Sequence, residues 1–217
     1  DGAKGTMLRG VAKAYSGPTY FVTLPGNKIK KISDLSGKKV AMGPPGSGTV
    51  FNCTNMLKAA GNLNKIKASY LTFADAGRAL ANGQVDAICQ SSAPAAAVKE
   101  LAETKGALVI PFSDAELTKI TMSGYSKGTM PAGTYKGVPA IDLPYLTVYW
   151  VAHERVSAKA VQDILNLVYQ PDIRAKLAAG HKAWKQMAPD TKNFEALGVP
   201  MHPGAVAYYK SKGLYHK

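Results

Sequence analysis

Short apolar runs alternate with segments of helical periodicity from residue 38 to residue 122. Each run has the length of a buried strand, and apolar positions three and four residues apart follow it. The pattern predicts strands over 38–42, 69–73, 85–90 and 107–112. The helices that follow them are predicted to end near 60, 80, 104 and 122. Repeated β-α units of this kind indicate a parallel sheet with helices on both faces.

Capping residues support these helix boundaries. Asp75 is the N-cap candidate of the second helix, and Ser113 with Glu116 forms an S-x-x-E capping box before the fourth. Gly61 and Gly106 follow two predicted helix ends, where a left-handed residue is common.

Residues 123–144 interrupt the alternation, because glycine, proline, serine and threonine dominate them. We predict a long surface connection there. The segments 18–24 and 145–152 are strand candidates of similar character on either side of the central block. Further helices are predicted over 157–169, 171–179 and 203–212. One lobe built from 38–144, and another from 1–37 with 145–217, would make the chain cross between lobes twice, as in binding proteins that close on a ligand.

The segment Gly43-Pro44-Pro45-Gly46-Ser47-Gly48-Thr49-Val50 is close to a nucleotide-binding P-loop. The P-loop pattern, G-x-x-x-x-G-K-S/T, needs lysine and then a hydroxyl, and this chain has threonine and then valine. An NTPase is therefore disfavoured. The remaining feature is a glycine turn that leads into a helix, a geometry that directs backbone N–H groups at an anion.

A second polar turn, Ser91–Ser92, also follows a predicted strand and precedes a helix. Ligands of parallel sheets bind at the carboxyl ends of strands, so both turns could face one crevice. The alternative for each is a plain β-α turn with a serine cap. A carboxylate suits such donors without Mg²⁺, whereas a polyphosphate would need a lysine or a metal.

The formal charge of +13 raises the question of nucleic-acid binding. Because the lysines are scattered and no zinc-finger, RNP-like or basic-helix pattern occurs, we favour a solvated basic surface that also attracts anionic solutes. We predict no nucleic-acid partner.

The longest apolar run is far shorter than a membrane span, and residues 1–15 lack the apolar core of a signal peptide. The chain is thus cytosolic, a mature secreted form, or a fragment.

Catalytic and metal-binding patterns are scarce. The four histidines match no H-E-x-x-H pattern, and Ser91–Ser92 lacks the G-x-S-x-G elbow. We predict no catalytic residue, no metal and no cofactor. An enzyme acting on a small carboxylate, on the same two-lobed fold, is the alternative.

Cys53 and Cys89 belong to no C-x-x-C pair, so a metal site is disfavoured. We favour the interpretation that both are small buried hydrophobic side chains. A disulfide between them is the alternative in an oxidising compartment.

Several motifs occur in the order and spacing of a known family. The segments are Ile32-Ser33-Asp34-Leu35-Ser36-Gly37-Lys38-Lys39-Val40-Ala41-Met42-Gly43, Gly46-Ser47-Gly48-Thr49, Phe73-Ala74-Asp75-Ala76, Gly83-Gln84-Val85-Asp86-Ala87, Pro94-Ala95-Ala96-Ala97-Val98, Pro131-Ala132-Gly133-Thr134-Tyr135 and Val199-Pro200-Met201-His202-Pro203-Gly204-Ala205. Along nearly its whole length the chain resembles the TAXI-type solute receptors of tripartite ATP-independent periplasmic (TRAP) transporters. The P-A-G-T-Y and P-x-H-P-G-A segments together are the most specific.

The resemblance implies an α/β, two-lobed fold of the periplasmic-binding-protein type II kind, each lobe a mostly parallel sheet flanked by helices. It also implies a periplasmic receptor, without catalysis, that captures a small organic anion and presents it to a membrane permease. A dicarboxylate, a glutamate-like amino acid and a 2-oxo acid are the expected solutes. By the motif match, the first expected ligand contacts are Ser47, Gly48 and Thr49; the second are Ser91 and Ser92; the third is Thr19.

The chain departs from the family pattern in two places. Family members usually begin with a further β-α-β region that carries a glycine- and tyrosine-rich ligand loop, so we expect an incomplete first lobe. The turn Gln90-Ser91-Ser92-Ala93 replaces a more apolar, glycine-containing one, which suggests a different ligand preference.

Overall fold

The computed structural model describes residues 7–180, 182–191, 194 and 198–216. The chain divides into two compact units: unit 2 is Gly17–Leu146, and unit 1 is formed by the described residues on either side. The strands in chain order are β1 Leu8–Thr23, β2 Lys39–Ala41, β3 Lys67–Ser69, β4 Ala87–Ser91, β5 Leu108–Ile110, β6 Ser126–Met130 and β7 Ile141–His153. The α-helices are α1 Gly48–Ala59, α2 Phe73–Ala81, α3 Ala96–Lys105, α4 Asp114–Thr121, α5 Ala158–Val168, α6 Pro171–Gly180 and α7 Pro203–Ser211.

Unit 2 is a mixed sheet with helices around it. Strands β3, β2 and β4 pair in parallel in that order. The second half of β1 pairs antiparallel with both β4 and β5. The apolar core of this unit includes buried side chains of β1, β2, β4 and β5 and of α1 to α4, among them Tyr20, Val40, Leu57, Leu80 and Ile88. This arrangement confirms the α/β class. The mostly parallel pairing holds for β3-β2-β4 alone, because β1 enters the sheet from outside the β-α repeat.

Unit 1 is built around a second apolar cluster. The first half of β1 lies beside the end of β7, and Ser16 and Thr147 join them through their hydroxyls at 2.8 Å. Helices α5 and α7 pack together on this cluster, which includes Val11, Val161 and Leu165. Among the described residues, no helix combines the length and the apolar character that crossing a membrane requires.

The structure corrects several boundaries. The predicted strand 69–73 is wrong, since β3 ends at Ser69 and Phe73 already begins α2. Thr72, not Asp75, caps α2: its hydroxyl accepts from the Asp75 amide at 3.2 Å. The predicted loop 123–144 is wrong in part, because it contains β6, which pairs antiparallel with the first residues of β7.

The units differ from the predicted lobes at the first crossing. Residues 17–37 belong to unit 2, because Thr19–Thr23 pair with β4. The chain passes between units within β1 and within β7, at residues 16–17 and 146–147. The division into ligand-closing lobes stays a prediction.

Candidate functional site

The N-terminus of α1 holds the first group of expected ligand contacts. The hydroxyl of Ser47 accepts from the Val50 amide at 3.3 Å, so Ser47 is the N-cap, as its position after the glycine turn indicated. No described residue accepts a hydrogen bond from the amides of Gly48 and Thr49. Gly48 is exposed and Thr49 is buried. The helix end therefore offers two free N–H donors beside the Ser47 hydroxyl.

Gly43 lets the loop approach this helix end closely. Its φ is +106°, and a Cβ there would lie 3.2 Å from Cγ2 of Thr49. A side chain at residue 43 would thus be strained by its backbone and crowded by Thr49. Glycine at this position keeps the loop against the first turn of α1.

Thr19 and Ser91 meet across the sheet. They are register partners on β1 and β4, and their hydroxyls lie 3.2 Å apart. Thr19 is buried, whereas Ser91 is partly exposed. Of the two residues, Ser91 is therefore the more exposed.

Asn52 links this pair to α1, one turn after Gly48. Its Nδ2 donates to Ser91 Oγ at 3.4 Å, and its Oδ1 accepts from the Tyr125 hydroxyl at 3.0 Å. Asn55 Nδ2 donates in turn to the Tyr125 oxygen at 3.2 Å. Burial raises the pKa of Tyr125, and the hydrogen bond from Asn55 opposes that rise. The neutral hydroxyl is therefore the form that donates to Asn52.

The turn at Ser92 is held by its own backbone. Ser92 has a left-handed φ of +71°, its amide donates to Pro18 O at 2.8 Å, and its carbonyl accepts from the Tyr20 hydroxyl at 3.2 Å. The Ser92 side chain lies against Gly17, where an added Cβ would be 3.1 Å from Oγ. No hydrogen bond joins the Ser92 hydroxyl to another described residue. Ser92 thus presents an unengaged hydroxyl beside Ser91.

Two buried tyrosines support the same turn. The hydroxyls of Tyr20 and Tyr135 are hydrogen-bonded to each other, and the Ala95 amide donates to Tyr135 at 2.7 Å. Burial raises the pKa of Tyr20 and of Tyr135. Tyr135 is the last residue of the P-A-G-T-Y segment, so in this structure that segment fixes the turn between β4 and α3.

A disulfide joins α1 to β4, the elements next to the two predicted contact turns. Cys53 on α1 and Cys89 on β4 are bonded, with their Cα atoms 6.3 Å apart. The favoured interpretation of two unpaired thiols is therefore wrong, although both side chains are buried. Sequence could not decide the pairing, because the pairing depends on how α1 lies against β4.

His202 has a structural role. His202 is buried; its Nδ1 accepts from the Gly204 amide at 3.1 Å, and its Nε2 donates to Val156 O at 3.0 Å. It therefore caps α7 and ties it to the turn before α5. His181 lies outside the described residues. Among the residues that the structure describes, no group of three or more His, Cys, Asp and Glu side chains could hold a metal ion.

Sequence reasoning missed Asn52, Asn55 and Tyr125. The two asparagines are one turn apart on α1. Polar residues on the predicted buried face of a helix were the sequence signal that could have identified them. Tyr125 could not be found, because it lies 73 residues from Asn52 in the chain. Of the predicted contacts, the structure joins Thr19 directly to Ser91 and places Ser47, Gly48 and Thr49 on the helix that carries Asn52.

Solved structures with the same fold are solute-binding proteins. An ancestral arginine-binding protein bound to arginine is 18% identical, with 80% of this chain and 63% of that one covered and a TM-score of 0.50. The periplasmic aliphatic sulphonate binding protein SsuA from Escherichia coli is 19% identical, with 95% and 60% covered and a TM-score of 0.50. The chain spans about three fifths of the length of these structures. These similarities place the chain in the class of periplasmic-binding-protein type II folds.

A family model gives a more specific assignment. The model of the NMT1-like family matches residues 1–213. The chain therefore belongs to the NMT1-like family.

Proposed function

We propose that this chain is a periplasmic solute-binding protein that captures a small organic anion and delivers it to the permease of a TRAP transporter. A dicarboxylate, a glutamate-like amino acid and a 2-oxo acid are the candidate solutes. The observation that carries the proposal is the pair of unengaged amides at Gly48 and Thr49, on the helix whose Asn52 contacts the Ser91 hydroxyl. Backbone N–H groups at a helix N-terminus, with hydroxyl donors nearby, favour a carboxylate.

The assignment of ligand contacts follows from exposure. Ser47, Gly48 and Ser91 are partly or fully exposed and contact the solute, as does the hydroxyl of Ser92. Thr49 contributes its amide, since its side chain is buried. Thr19 acts through Ser91, because its own hydroxyl is enclosed. The net charge of +13 adds long-range attraction for anions.

The periplasmic location and the transporter partner rest on separate observations. The Cys53–Cys89 disulfide suits an oxidising compartment such as the periplasm. Delivery to a TRAP permease is supported by the TAXI-type motifs, above all P-A-G-T-Y and P-x-H-P-G-A. Binding without turnover is supported by the structural neighbours, which are named as binding proteins.

Thermal unfolding with a panel of solutes tests this function. Succinate, L-glutamate and 2-oxoglutarate represent the three solute classes, and L-arginine serves as a cationic contrast. At a hundredfold excess over Kd, a bound solute raises the free energy of unfolding by about 2.7 kcal/mol. We expect a stabilising shift with at least one of the three acids and none with L-arginine. A shift with L-arginine alone, or conversion of a bound acid to a product of different mass, would contradict the proposal.

A further inference from the structure

Five polar side chains of unit 2 form a continuous hydrogen-bonded chain, which we call the relay: Asn55, Tyr125, Asn52, Ser91 and Thr19. The successive distances between their polar atoms are 3.2, 3.0, 3.4 and 3.2 Å. It runs from the middle of α1 to the carboxyl end of β4, where the proposed anion site lies. The direction of each hydrogen bond in the relay follows from which atoms can donate and which can accept.

The first half of the relay donates toward Ser91. An amide nitrogen can only donate, so the Asn55 Nδ2 group donates to the Tyr125 oxygen. The single proton of Tyr125 then goes to Oδ1 of Asn52. With its oxygen engaged by Tyr125, the Asn52 carboxamide turns its Nδ2 toward Ser91 Oγ.

The other end of the relay also donates toward Ser91. Thr19 is only 1% exposed, and Ser91 Oγ is the hydrogen-bond partner of its hydroxyl among the described residues. A buried hydroxyl that failed to donate would cost free energy, so Thr19 gives its proton to Ser91. A serine oxygen accepts two hydrogen bonds. Asn52 and Thr19 fill both, and only the Ser91 proton remains for a further partner.

We propose that the relay fixes Ser91 as an obligatory hydrogen-bond donor to the solute, and that Asn52, Tyr125 and Thr19 are specificity-determining positioning residues. This inference rests on the proposed function and adds to it the group that Ser91 selects. Ser91 pairs with an acceptor, such as a carboxylate oxygen, and rejects an N–H group at the same place. Tyr125 exerts this effect without contact with the solute.

The donor assignment explains how acids are distinguished from their amides. The amides of Gly48 and Thr49 and the Ser91 hydroxyl are all donors, and carboxylate oxygens only accept hydrogen bonds. Replacing one carboxylate oxygen with NH₂ places an N–H donor opposite the Ser91 hydroxyl, which is also a donor, so the hydrogen bond between them is lost. Sites built on such pairing reject the mismatched analogue strongly.

The experiment compares each acid with its matched amide by isothermal titration calorimetry. The pairs are succinate with succinamide, L-glutamate with its diamide, and 2-oxoglutarate with its diamide, because a monoamide would keep one carboxylate for the site. The wild-type chain and Tyr125→Phe are titrated with all six. Without the Tyr125 proton, the Asn52 carboxamide is free to turn its oxygen to Ser91 and draw the serine proton inward. We expect the acid-over-amide preference to fall about tenfold, which corresponds to about 1.4 kcal/mol.

Tyr208→Phe is the matched control. Tyr208 is 5% exposed and Tyr125 is 7% exposed, but Tyr208 lies in unit 1, outside the relay. Its substitution should leave the preference unchanged. Asn52→Asp provides a second variant, because a carboxylate at residue 52 cannot donate to Ser91. We expect this substitution to abolish or reverse the acid-over-amide preference. Asn64→Asp, on an exposed residue, controls for the added charge.

The outcomes separate the two claims. A preference that falls in Tyr125→Phe and Asn52→Asp, and persists in both controls, supports the relay. Tight acid binding with the same preference in all variants would overturn the relay and leave the proposed function standing. If the wild type bound none of the six compounds, the proposed function would fail, and the relay inference with it.

Discussion

Ser47 caps a helix and is a proposed ligand contact, and two matched substitutions can separate these roles. Its hydroxyl caps α1 by accepting from the Val50 amide, and it lies beside the free amides of Gly48 and Thr49. We expect Ser47→Ala to lower the free energy of unfolding by about 1 kcal/mol, the usual cost of a lost N-cap. We also expect weaker binding of whichever test acid the wild type binds, measured by calorimetry.

Ser113 provides the control for this prediction. It caps α4 with its hydroxyl 3.3 Å from the Glu116 amide, and the same hydroxyl also donates to the Glu116 carboxylate at 2.9 Å, but it lies outside the site. Ser113→Ala should therefore lose at least as much stability in chemical denaturation and keep full affinity. If Ser47→Ala also kept full affinity, Ser47 would be a structural cap alone.

The residues that sequence could identify are those with local signals. Ser47 and the Ser113–Glu116 capping box follow from positions a few residues apart, and the structure has both. The contact of Asn52 with Tyr125, and that of Thr19 with Ser91, join residues 73 and 72 positions apart. No local pattern encodes such pairs, because they arise only when α1 packs against α4 and β1 pairs with β4.

At the scale of elements, the disulfide fastens α1 to β4. It closes a loop between residues 36 positions apart, and the loop-entropy relation gives a stabilisation of about 4 kcal/mol for that length. We expect reduction, or the double substitution Cys53→Ala and Cys89→Ala, to lower the unfolding midpoint in thermal denaturation. An unchanged midpoint with and without a reductant would contradict this role.

In unit 1, Gly204 sets how closely α7 approaches α5. A Cβ at this position would lie 2.3 Å from the backbone oxygen of Ala158, a contact that only movement of one helix relieves. We expect Gly204→Ala to destabilise the chain by at least about 2 kcal/mol, since overpacking of this kind displaces backbone. Denaturant unfolding measures the loss.

Gly213→Ala is a useful comparison for that substitution. Gly213 has φ +68° and open space around the position of an added Cβ. The stability lost in Gly213→Ala therefore comes from backbone conformation alone. We expect it to destabilise the chain less than Gly204→Ala does. Equal losses for the two variants would refute the crowding explanation.

Element boundaries were predictable where caps and breakers mark them. Helices α1, α4 and α5 begin after Ser47, Ser113 and Ser157, as expected. The boundary between β3 and α2 was mispredicted, because the apolar residues Leu71 and Phe73 continue the strand pattern past Thr72. The Thr72 hydroxyl starts the helix there, since it accepts from the Asp75 amide.

At the scale of the whole molecule, the fold class follows from the β-α repeat, whereas the division into ligand-closing lobes stays a prediction. The antiparallel entry of β1 did not follow, because pairing direction depends on where a crossing strand joins the sheet. Both turns predicted to contact the ligand lie in unit 2. This unit therefore holds all the groups on which the proposed anion site depends.

The central claim is that this chain binds a small carboxylic acid, and native mass spectrometry of the purified protein tests it most directly. We predict one equivalent of a small acid, either retained from the cell or taken up from added succinate, L-glutamate or 2-oxoglutarate. The bound mass should be lost on unfolding and recovered unchanged. A protein that carries no bound mass under any of these conditions would contradict the account.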